Sequence, residues 1–524
     1  MSVISLVLHG HAPFIRHPEL SSASHECWLF QSISETYIPL LEVFARLERD
    51  RVPFRAALAL SPTLCHMLCD DLLVQRYLDY ADKQIEFGAQ ELERTAGDRD
   101  LHDLAKLLYD RAVDRRVLFA ERYGRNILKG FEYFQRKGRV ELLGTAATHA
   151  FMPFYAAHPE AVQAQFEVAI SSYRGNFGKS PQGFWLPELG WSCGLDAWLR
   201  AYNFGYTIVD AHALAFAHPI AKNGSFYPVR TEHGIFALGR DFYAARDLSQ
   251  MARDPVYRHC RRDQGFELPA EDALAFMDDQ GCRYETGYKY WAAGADASGA
   301  SLYEPVLAQE RANCHARDFL AARTARLKSA ARLVDGVPLS LCAFEADLFG
   351  RFWHEGAMFV EALFREGAKH GDVQFLTPSE YLCKQDPATF QTVAPEFSSW
   401  GMNGYAETWL DASNDWIYCH AARALERMAE MAERFPNSSS LKERALNQAA
   451  RELLLLLSSD WPKMLHKQES AAYARSRVEG SLRNFTTIYE ALGSNYISTE
   501  WLTQLERRNN IFPAINYRVF RRKR

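Results

Sequence analysis

The chain has 524 residues, more than one ordinary hydrophobic core holds, so we expect two or three domains. Hydrophobic residues make up 48% and charged residues 24%, a composition that excludes a disordered or fibrous chain. The formal net charge of −5 excludes a general positive field that would hold nucleic acid or an anionic membrane.

The N-terminal segment and the cysteines indicate the compartment. Residues Met1–Leu8 are apolar but lack a basic n-region, which argues against a signal peptide, and no later window reaches the ~18 apolar residues of a membrane span. The ten cysteines lie at irregular spacings without a CxxC pair, which is typical of reduced thiols. We therefore expect a cytoplasmic protein with no membrane and no nucleic-acid partner.

Short apolar runs, each ending abruptly in polar residues, recur along the first three-quarters of the chain. Their nearly continuous apolar character is typical of strands buried on both faces, and amphipathic helical stretches separate them. Strand and helix in alternation predict a parallel α/β barrel, whose strand C-termini converge on one rim. The predicted strands are Val3–Leu8, Phe54–Leu60, Val140–Leu143, Gly183–Leu186, Tyr206–Val209, Val337–Phe344 and Val373–Leu376.

Two segments depart from this alternation and set the expected domain bounds. From about residue 193 a His-containing stretch and a hairpin-like pair of runs follow, so we predict a small subdomain, residues 193–235, inserted over the barrel rim. From about residue 386 the β-branched runs give way to long amphipathic helical patterns. The predicted domains are a barrel of residues 1–192 and 236–385, the insertion, and a C-terminal helical domain of residues 386–524.

Acidic residues follow two of the predicted strands. Glu188 lies in Phe184-Trp-Leu-Pro-Glu188, and Glu345 begins an acidic, aromatic block after another strand. Two carboxylates at one rim are what glycoside chemistry requires, although acids after barrel strands also cap helices. His9, His11 and His149 follow other strands. They either bind a metal, hydrogen-bond sugar hydroxyls, or satisfy buried backbone groups, and no compact HxxxH pair favours the metal.

Taken together, several motifs resemble glycoside hydrolase family 57, in particular its 1,4-α-glucan branching enzymes. The resemblance runs nearly end to end, because the motifs occur in the same order along the whole chain. They are His9-x-His11, Gly144-Thr-Ala-Ala-Thr-His149, Phe184-Trp-Leu-Pro-Glu188, Leu348-Phe-Gly-x-x-Trp353, Ser399-Trp-Gly401, Asp415-Trp416 and Ser459-Asp-Trp-Pro462.

The resemblance implies a (β/α)7 barrel with a small insertion and a C-terminal helical domain, no metal or other cofactor, and a retaining mechanism on α-glucans such as amylose, glycogen and maltooligosaccharides. Glu188 matches the family nucleophile, and Glu345 stands at the acid/base position. The oligomeric state is not indicated. The remaining positions that the resemblance implies for substrate binding are His9, His11, Trp28, His149, Gly265, Trp291, Trp400, Trp409 and Asp460.

Two departures from the family pattern leave three functions open. The family has Asp at the acid/base position, whereas Glu345 reaches ~1.5 Å further, and retaining geometry wants the carboxyl groups about 5–5.5 Å apart. The segment Gly239–Asp263 is also short, with Tyr243 the one candidate for screening the intermediate from water. We expect glucan branching first. An α-glucan hydrolase or a glucan-binding homologue with impaired catalysis is the alternative, and the tryptophans are either sugar platforms or core residues.

Overall fold

The computed structural model describes residues 2–294, 301–438 and 440–523, and its centre is a curled, mostly parallel sheet. The strand order is β6-β7-β5-β4-β3-β2-β1-β8, with β9 paired to β1. The strands are β1 (Ser2–Gly10), β2 (Ala56–Leu60), β3 (Val140–Thr145), β4 (Gly183–Trp185), β5 (Tyr206–Val209), β6 (Val229–Arg230), β7 (Phe236–Gly239), β8 (Leu339–Glu345) and β9 (Val373–Phe375).

The parallel strands form a ring that closes where β7 meets β8. An isolated parallel bridge joins Arg240 to Leu341, and the backbone N–H of Asp241 donates to the carbonyl of Leu341 at 2.8 Å. The ring therefore consists of β1, β2, β3, β4, β5, β7 and β8, and the predicted (β/α)7 barrel is confirmed. Every residue of β1 is buried, because helices cover the outside of the ring and side chains fill its interior.

The structure has the predicted strand Tyr206–Val209 in the barrel but differs from the sequence prediction in the seventh strand of the ring. Tyr206–Val209 lies within the ring between β4 and β7, so residues 193–235 contribute a barrel strand besides the loop over the rim. The seventh ring strand is Phe236–Gly239, which overlaps the second run of the hairpin-like pair, Gly234–Leu238, and is not among the predicted barrel strands. The run that starts at Val373 instead pairs with Ser2–Ile4 of β1. β2 pairs with β1 only from Leu6 onward, so this run lies outside the ring. A short strand gives too little pattern to show on which sides it is paired.

The helices surround the barrel and build the C-terminal domain. Side-chain caps begin several of them, with Asp70 accepting from Leu73 N–H at the start of one and a Thr377–Glu380 capping box at another. They are α1 (Cys27–Gln31), α2 (Ile38–Arg49), α3 (Pro62–Leu68), α4 (Asp71–Arg94), α5 (Arg99–Val117), α6 (Leu128–Arg136), α7 (Pro159–Phe177), α8 (Leu195–Ala201), α9 (Ala211–Ala215), α10 (Phe242–Met251), α11 (Gln264–Glu267), α12 (Pro305–Ala330), α13 (Gly356–Gly367), α14 (Pro378–Cys383), α15 (Trp416–Arg434), α16 (Ser440–Leu456), α17 (Asp460–Lys467), α18 (Ala471–Gly493) and α19 (Thr499–Arg508).

The C-terminal helices dock onto the barrel rim through α17. Ala150, after β3, forms an isolated bridge with Ser458, and the backbone N–H of Ser459 donates to the carbonyl of His149 at 3.1 Å. The first turn of α17 therefore lies against the strand ends. Within the described residues no helix has the length and apolar character needed to cross a membrane.

Candidate active site

The site lies where the C-terminal ends of the barrel strands meet the start of α17. His9 is on β1, His149 follows β3, Glu188 follows β4, and Glu345 ends β8. The parallel register places His9 beside Glu345 in the sheet. The rings of His9, His11 and His149 stack in a column, with centroids 4.8 Å apart for His9–His149 and 4.0 Å for His11–His149. The structure therefore brings these strand-end residues together at one rim of the barrel, as the sequence predicts.

Glu188 is held by hydrogen-bond donors on both carboxylate oxygens. The indole N–H of Trp400 donates to Oε2 at 2.5 Å, and the hydroxyl of Ser459 donates to Oε1 at 3.1 Å. The ammonium of Lys463 lies 4.0 Å from Oε1. Glu188 is 2% exposed, so these contacts replace the water that the carboxylate loses.

The backbone is strained at two of the site residues. Glu188 has φ 58° and ψ 19°, and His149 has φ 57°, in the left-handed region that side chains with a Cβ rarely adopt. The carbonyl of Glu188 accepts from the backbone N–H of Trp400 at 2.9 Å, which helps to hold this turn. Strain of about 1–3 kcal/mol per residue persists only where the surroundings enforce it, and it gathers at functional sites.

Ser459 connects His149 to Glu188. Its Oγ lies 2.8 Å from Nδ1 of His149. Because the Ser459 hydroxyl donates to Glu188, it accepts from His149, which fixes the Nδ1–H tautomer and leaves Nε2 as a bare acceptor. That Nε2 has no hydrogen-bond partner among the described residues. Burial lowers the pKa of His149 well below its ordinary value, so the ring is neutral.

His11 links the rim to Asp460 of α17. Its Nε2 lies 2.8 Å from Oδ2 of Asp460, and its Nδ1 lies 2.8 Å from the hydroxyl of Ser61 after β2. Burial opposes ionisation of Asp460, but His11, the hydroxyl of Ser458 and the charge of Lys463 outweigh it and lower its pKa. Asp460 is therefore an ionised anchor that orients the His11 ring.

Lys463 brings the two predicted catalytic carboxylates to one ammonium. Its Nζ lies 3.2 Å from Oε1 of Glu345 and 4.0 Å from Oε1 of Glu188. The two distances, 3.2 Å and 4.0 Å, together limit the separation of these carboxylate oxygens to 7.2 Å or less. This limit is compatible with the carboxyl spacing of about 5–5.5 Å that retention requires.

The two carboxyl groups have opposite pKa shifts. Burial raises the pKa of Glu188, and the partly opposing effects of Lys463 and Trp400 do not offset it. The charge of Lys463 is the main cause that lowers the pKa of Glu345, whose side chain is 44% exposed. Lys463 itself is held protonated, because Glu188, Glu345 and Asp460 outweigh its burial and raise its pKa. Without substrate, the ammonium thus favours an ionised Glu345.

A close backbone contact positions the block after Glu345. A Cβ on Gly350 would come within 2.0 Å of the carbonyl oxygen of Glu35, in a π-helical segment that follows α1. Only glycine permits this approach. Asp347, two residues after Glu345, is bound by the hydroxyl of Ser32 at 2.8 Å. Asp347 therefore holds this π-helical segment against the end of β8, and Glu345 lies 3.2 Å from Lys463.

Of the predicted tryptophan and glycine positions, only Trp400 hydrogen-bonds Glu188 among the described residues. Trp400 is 9% exposed and bonds Glu188, whereas Trp409 is 1% exposed and stacks on Phe151 at 5.2 Å. Trp28 and Trp291 are partly exposed, and Trp291 donates to Glu267 at 2.6 Å. Gly265 accepts no contact from the Glu188 cluster among the described residues; its N–H donates to Asp263 at 2.9 Å. The binding roles of these residues stay predictions.

Sequence reasoning missed Ser459 and Lys463. Ser459 is the N-cap residue of α17 and Lys463 follows it by one helical turn, whereas the motif Ser459-Asp-Trp-Pro462 was singled out for Asp460 alone. In a helix, residues four positions apart lie on the same side, so counting four residues on from Ser459 identifies Lys463. Tyr243, the expected screen for the intermediate, packs against Arg326 of α12. Among the described residues no group of three or more His, Cys, Asp or Glu side chains is arranged to hold a metal ion.

Comparison with known proteins identifies the family. The model of glycosyl hydrolase family 57 matches residues 5–251, and the model of the C-terminal part of 1,4-alpha-glucan branching enzymes matches residues 420–520. A crystal structure described as the alpha-amylase AmyC from Thermotoga maritima is 35% identical, covers 100% of this chain and 99% of its own, and superimposes with a TM-score of 0.92. The chain belongs to glycosyl hydrolase family 57.

Branching enzymes are also among the similar family 57 proteins. A 1,4-alpha-glucan branching enzyme of Thermococcus kodakarensis is 26% identical over 98% of this chain and 77% of its own length. The crystal structure of a branching enzyme from Pyrococcus horikoshii is 25% identical, covers 100% of this chain and 97% of its own, and has a TM-score of 0.90. The similar proteins thus include one that is described as an amylase and others that are described as branching enzymes.

Proposed function

We propose that this family 57 protein is a retaining α-glucan-acting enzyme that cleaves α-1,4 linkages and forms α-1,6 branches. The observation that carries the proposal is that Glu188 and Glu345 share the ammonium of Lys463, with their nearest oxygens at most 7.2 Å apart (3.2 Å and 4.0 Å from Nζ). The relatives described as branching enzymes support transfer to a glucan 6-hydroxyl in preference to water.

The geometry supports a double displacement. Glu188 attacks the anomeric carbon, the bond to the α-1,4 oxygen breaks, and the protonated Glu345 gives its proton to that leaving oxygen. In the second half, the carboxylate of Glu345 takes the proton of an acceptor 6-hydroxyl. The acceptor oxygen then bonds the anomeric carbon, and Glu188 leaves as a carboxylate. Trp400 and Ser459 hold the same two oxygens throughout, so little reorganisation is needed.

Incubation with amylose tests the proposal. We expect new α-1,6 linkages, measured by debranching followed by chain-length analysis, in excess of new reducing ends. A wild-type protein that yields neither new linkages nor reducing ends would reject enzymatic action and favour a glucan-binding protein without turnover, for which calorimetry with maltooligosaccharides is the measurement.

Hydrolysis is a second candidate, supported by two observations. The 35% identical structure is described as an alpha-amylase, and Tyr243 stacks on Arg326 of α12 at 3.6 Å. A Tyr243 that stays on Arg326 leaves the glycosyl-enzyme open to water, which then competes with the sugar acceptor. Reducing ends released faster than branches form would select this candidate.

Trp400→Phe is expected to lower kcat by about 10- to 100-fold. The change removes the indole donor to Oε2 of Glu188, and a hydrogen bond to a charged group contributes about 1.5–3 kcal/mol. The matched variant is Trp409→Phe, whose indole N–H has no hydrogen-bond partner among the described residues, so the same substitution deletes no bond there. Equal losses of kcat in both variants, measured on maltoheptaose, would contradict the role of Trp400.

A further inference from the structure

A large polar cavity lies outside the cleft, between the segment before α1 and the C-terminal helices. It measures about 830 Å³ and is formed by residues 17–25, the turn at 278–280, α18 and the end of α19. A second cavity of about 670 Å³ lies between α15 and α18, and Arg475, Glu479 and Arg483 line both. The two cavities thus form one groove along α18, which we call the α18 groove.

The α18 groove begins beside the candidate active site. At that end the rings of His25 and Tyr473 stack at 3.9 Å, and Trp28 meets His25 edge-on at 5.1 Å. Tyr473 also packs against Trp461, the residue after Asp460 on α17, at 6.3 Å. A ligand that extends along α18 would therefore reach Trp28 next to the strand ends.

Trp28 is itself tied to the end of β8. The hydroxyl of Ser32 lies 3.0 Å from the carbonyl oxygen of Trp28 and 2.8 Å from Oδ2 of Asp347. Asp347 follows Glu345 by two residues. The inner end of the α18 groove is thus one helical turn from the residues that flank the predicted acid/base.

The groove offers hydrogen-bond groups without partners. Arg477 and Arg483 line it and form no ion pair with any carboxylate in the part of the chain that the structure describes. Asn509, which also lines it, is 3% exposed, and its Oδ1 has no hydrogen-bond partner while its amide N–H groups donate to Glu452. The two guanidinium groups can therefore donate to the hydroxyls of a ligand in the groove.

The lining carries charges of both signs. Glu479 lies 3.8 Å from Arg475, Glu19 lies 3.8 Å from Arg508, and Asp278 also lines the groove. Sugar hydroxyls both donate and accept, so they can bond arginines and carboxylates along the same groove. At the outer end the partly exposed ring of Trp416 carries Arg475 at 5.0 Å and offers an aromatic edge.

We propose that the α18 groove binds a second α-glucan chain and leads it past Trp28 to the pair Glu188 and Glu345. The assignment rests on the proposed function, since branching needs an acceptor chain whereas hydrolysis needs water alone. The groove would therefore set the ratio of branching to hydrolysis.

Gly480→Trp is the test, because it fills the groove from inside a helix. Gly480 lines the larger cavity, and a Cβ added there meets nothing within 4 Å. The matched control is Gly175→Trp, an exposed glycine inside α7 whose added Cβ also meets nothing within 4 Å. Replacing glycine inside a helix improves helix propensity, so both variants are expected to fold. Arg483→Ala gives a second test without added bulk, and its control is Arg332→Ala, since Arg332 is exposed and forms no ion pair with any residue that the structure describes.

Affinity gel electrophoresis in glycogen gives the binding result. We expect Gly480→Trp to weaken retention by about tenfold and Arg483→Ala by severalfold, with both controls as wild type. Unchanged retention in Gly480→Trp would overturn the proposal. The electrophoresis does not depend on turnover. It therefore tests glucan binding in the α18 groove even if the wild-type protein makes no product and the proposed function fails.

Product analysis on amylose separates an acceptor site from general substrate binding. We expect Gly480→Trp to lower α-1,6 linkages by about tenfold relative to reducing ends, while total cleavage is retained. If cleavage and branching fall in equal proportion, the groove is not an acceptor site and the assignment is overturned.

Discussion

Glu188→Gln is expected to reduce turnover of amylose by about 10⁴-fold and to increase the free energy of unfolding at neutral pH. Loss of a group on which covalent catalysis depends has effects of this size. The stability change follows from burial, which raises the pKa of Glu188 and shows that the folded protein binds the charged form poorly.

The sign of the stability effect follows from that pKa. Because the folded pKa of Glu188 is raised above its unfolded value, its contribution is fully present below the unfolded pKa and is lost as pH rises through the folded pKa. At neutral pH the carboxylate is therefore a cost, which the amide removes. The amide oxygen can still accept from Trp400, while its N–H donates to Ser459, whose hydroxyl turns to Nδ1 of His149.

Thermal unfolding at pH 5 and pH 8, with initial rates on amylose, measures both effects. The gain in melting temperature should be larger at pH 8. Glu271→Gln is the control, since Glu271 is exposed and forms no ion pair within the described ranges. A second readout is a glycosyl adduct on the peptide that contains Glu188 in wild-type protein, detected by mass spectrometry. Normal turnover in Glu188→Gln would remove Glu188 from the mechanism.

The strand-end residues were predictable from sequence because one rule of the fold places them. Parallel strands in a ring bring their C-termini to one rim, so the polar residue after each run identifies Glu188, Glu345 and His149 without knowledge of any distance. The strand assignments failed where the pattern was short. Phe236–Gly239 has four residues, too few to show that it pairs on both sides.

The contribution of the C-terminal domain was much less predictable. Ser459 and Lys463 contact Glu188 across 271 and 275 positions of sequence, and no local periodicity reports such a contact. Burial of Trp409 against Phe151 is equally a product of packing between distant segments. The pKa shifts depend on these contacts, so the sequence could identify the two carboxyl groups but not which of them is favoured in its ionised form.

That electrostatic arrangement leads to the second large effect, in Lys463→Met. The ammonium lowers the pKa of Glu345 and opposes the burial that raises the pKa of Glu188. Its removal raises both pKa values. Activity needs an ionised Glu188 together with a protonated Glu345, so the two limbs of kcat/KM report the two apparent pKa values of this coupled pair, and both limbs move to higher pH.

We therefore expect the whole pH profile of Lys463→Met to shift upward. On the alkaline side of the wild-type optimum kcat/KM should rise by up to about tenfold, since Glu345 is 44% exposed and solvent screens part of the interaction. On the acid side it should fall. Lys463→Arg keeps the charge and should keep both limbs in place even if kcat changes.

Both limbs are needed to distinguish this effect from damage to the site. A loss of activity that is uniform across pH would mean that Lys463 only supports the structure, since a packing role does not move a titration. A shift of one limb alone would mean that Lys463 affects only one carboxylate of the pair. A shift of both limbs requires that the ammonium of Lys463 interacts with both carboxylates. Glu188 and Glu345 must then lie on either side of one ammonium, and the retaining mechanism proposed for this chain depends on that closeness.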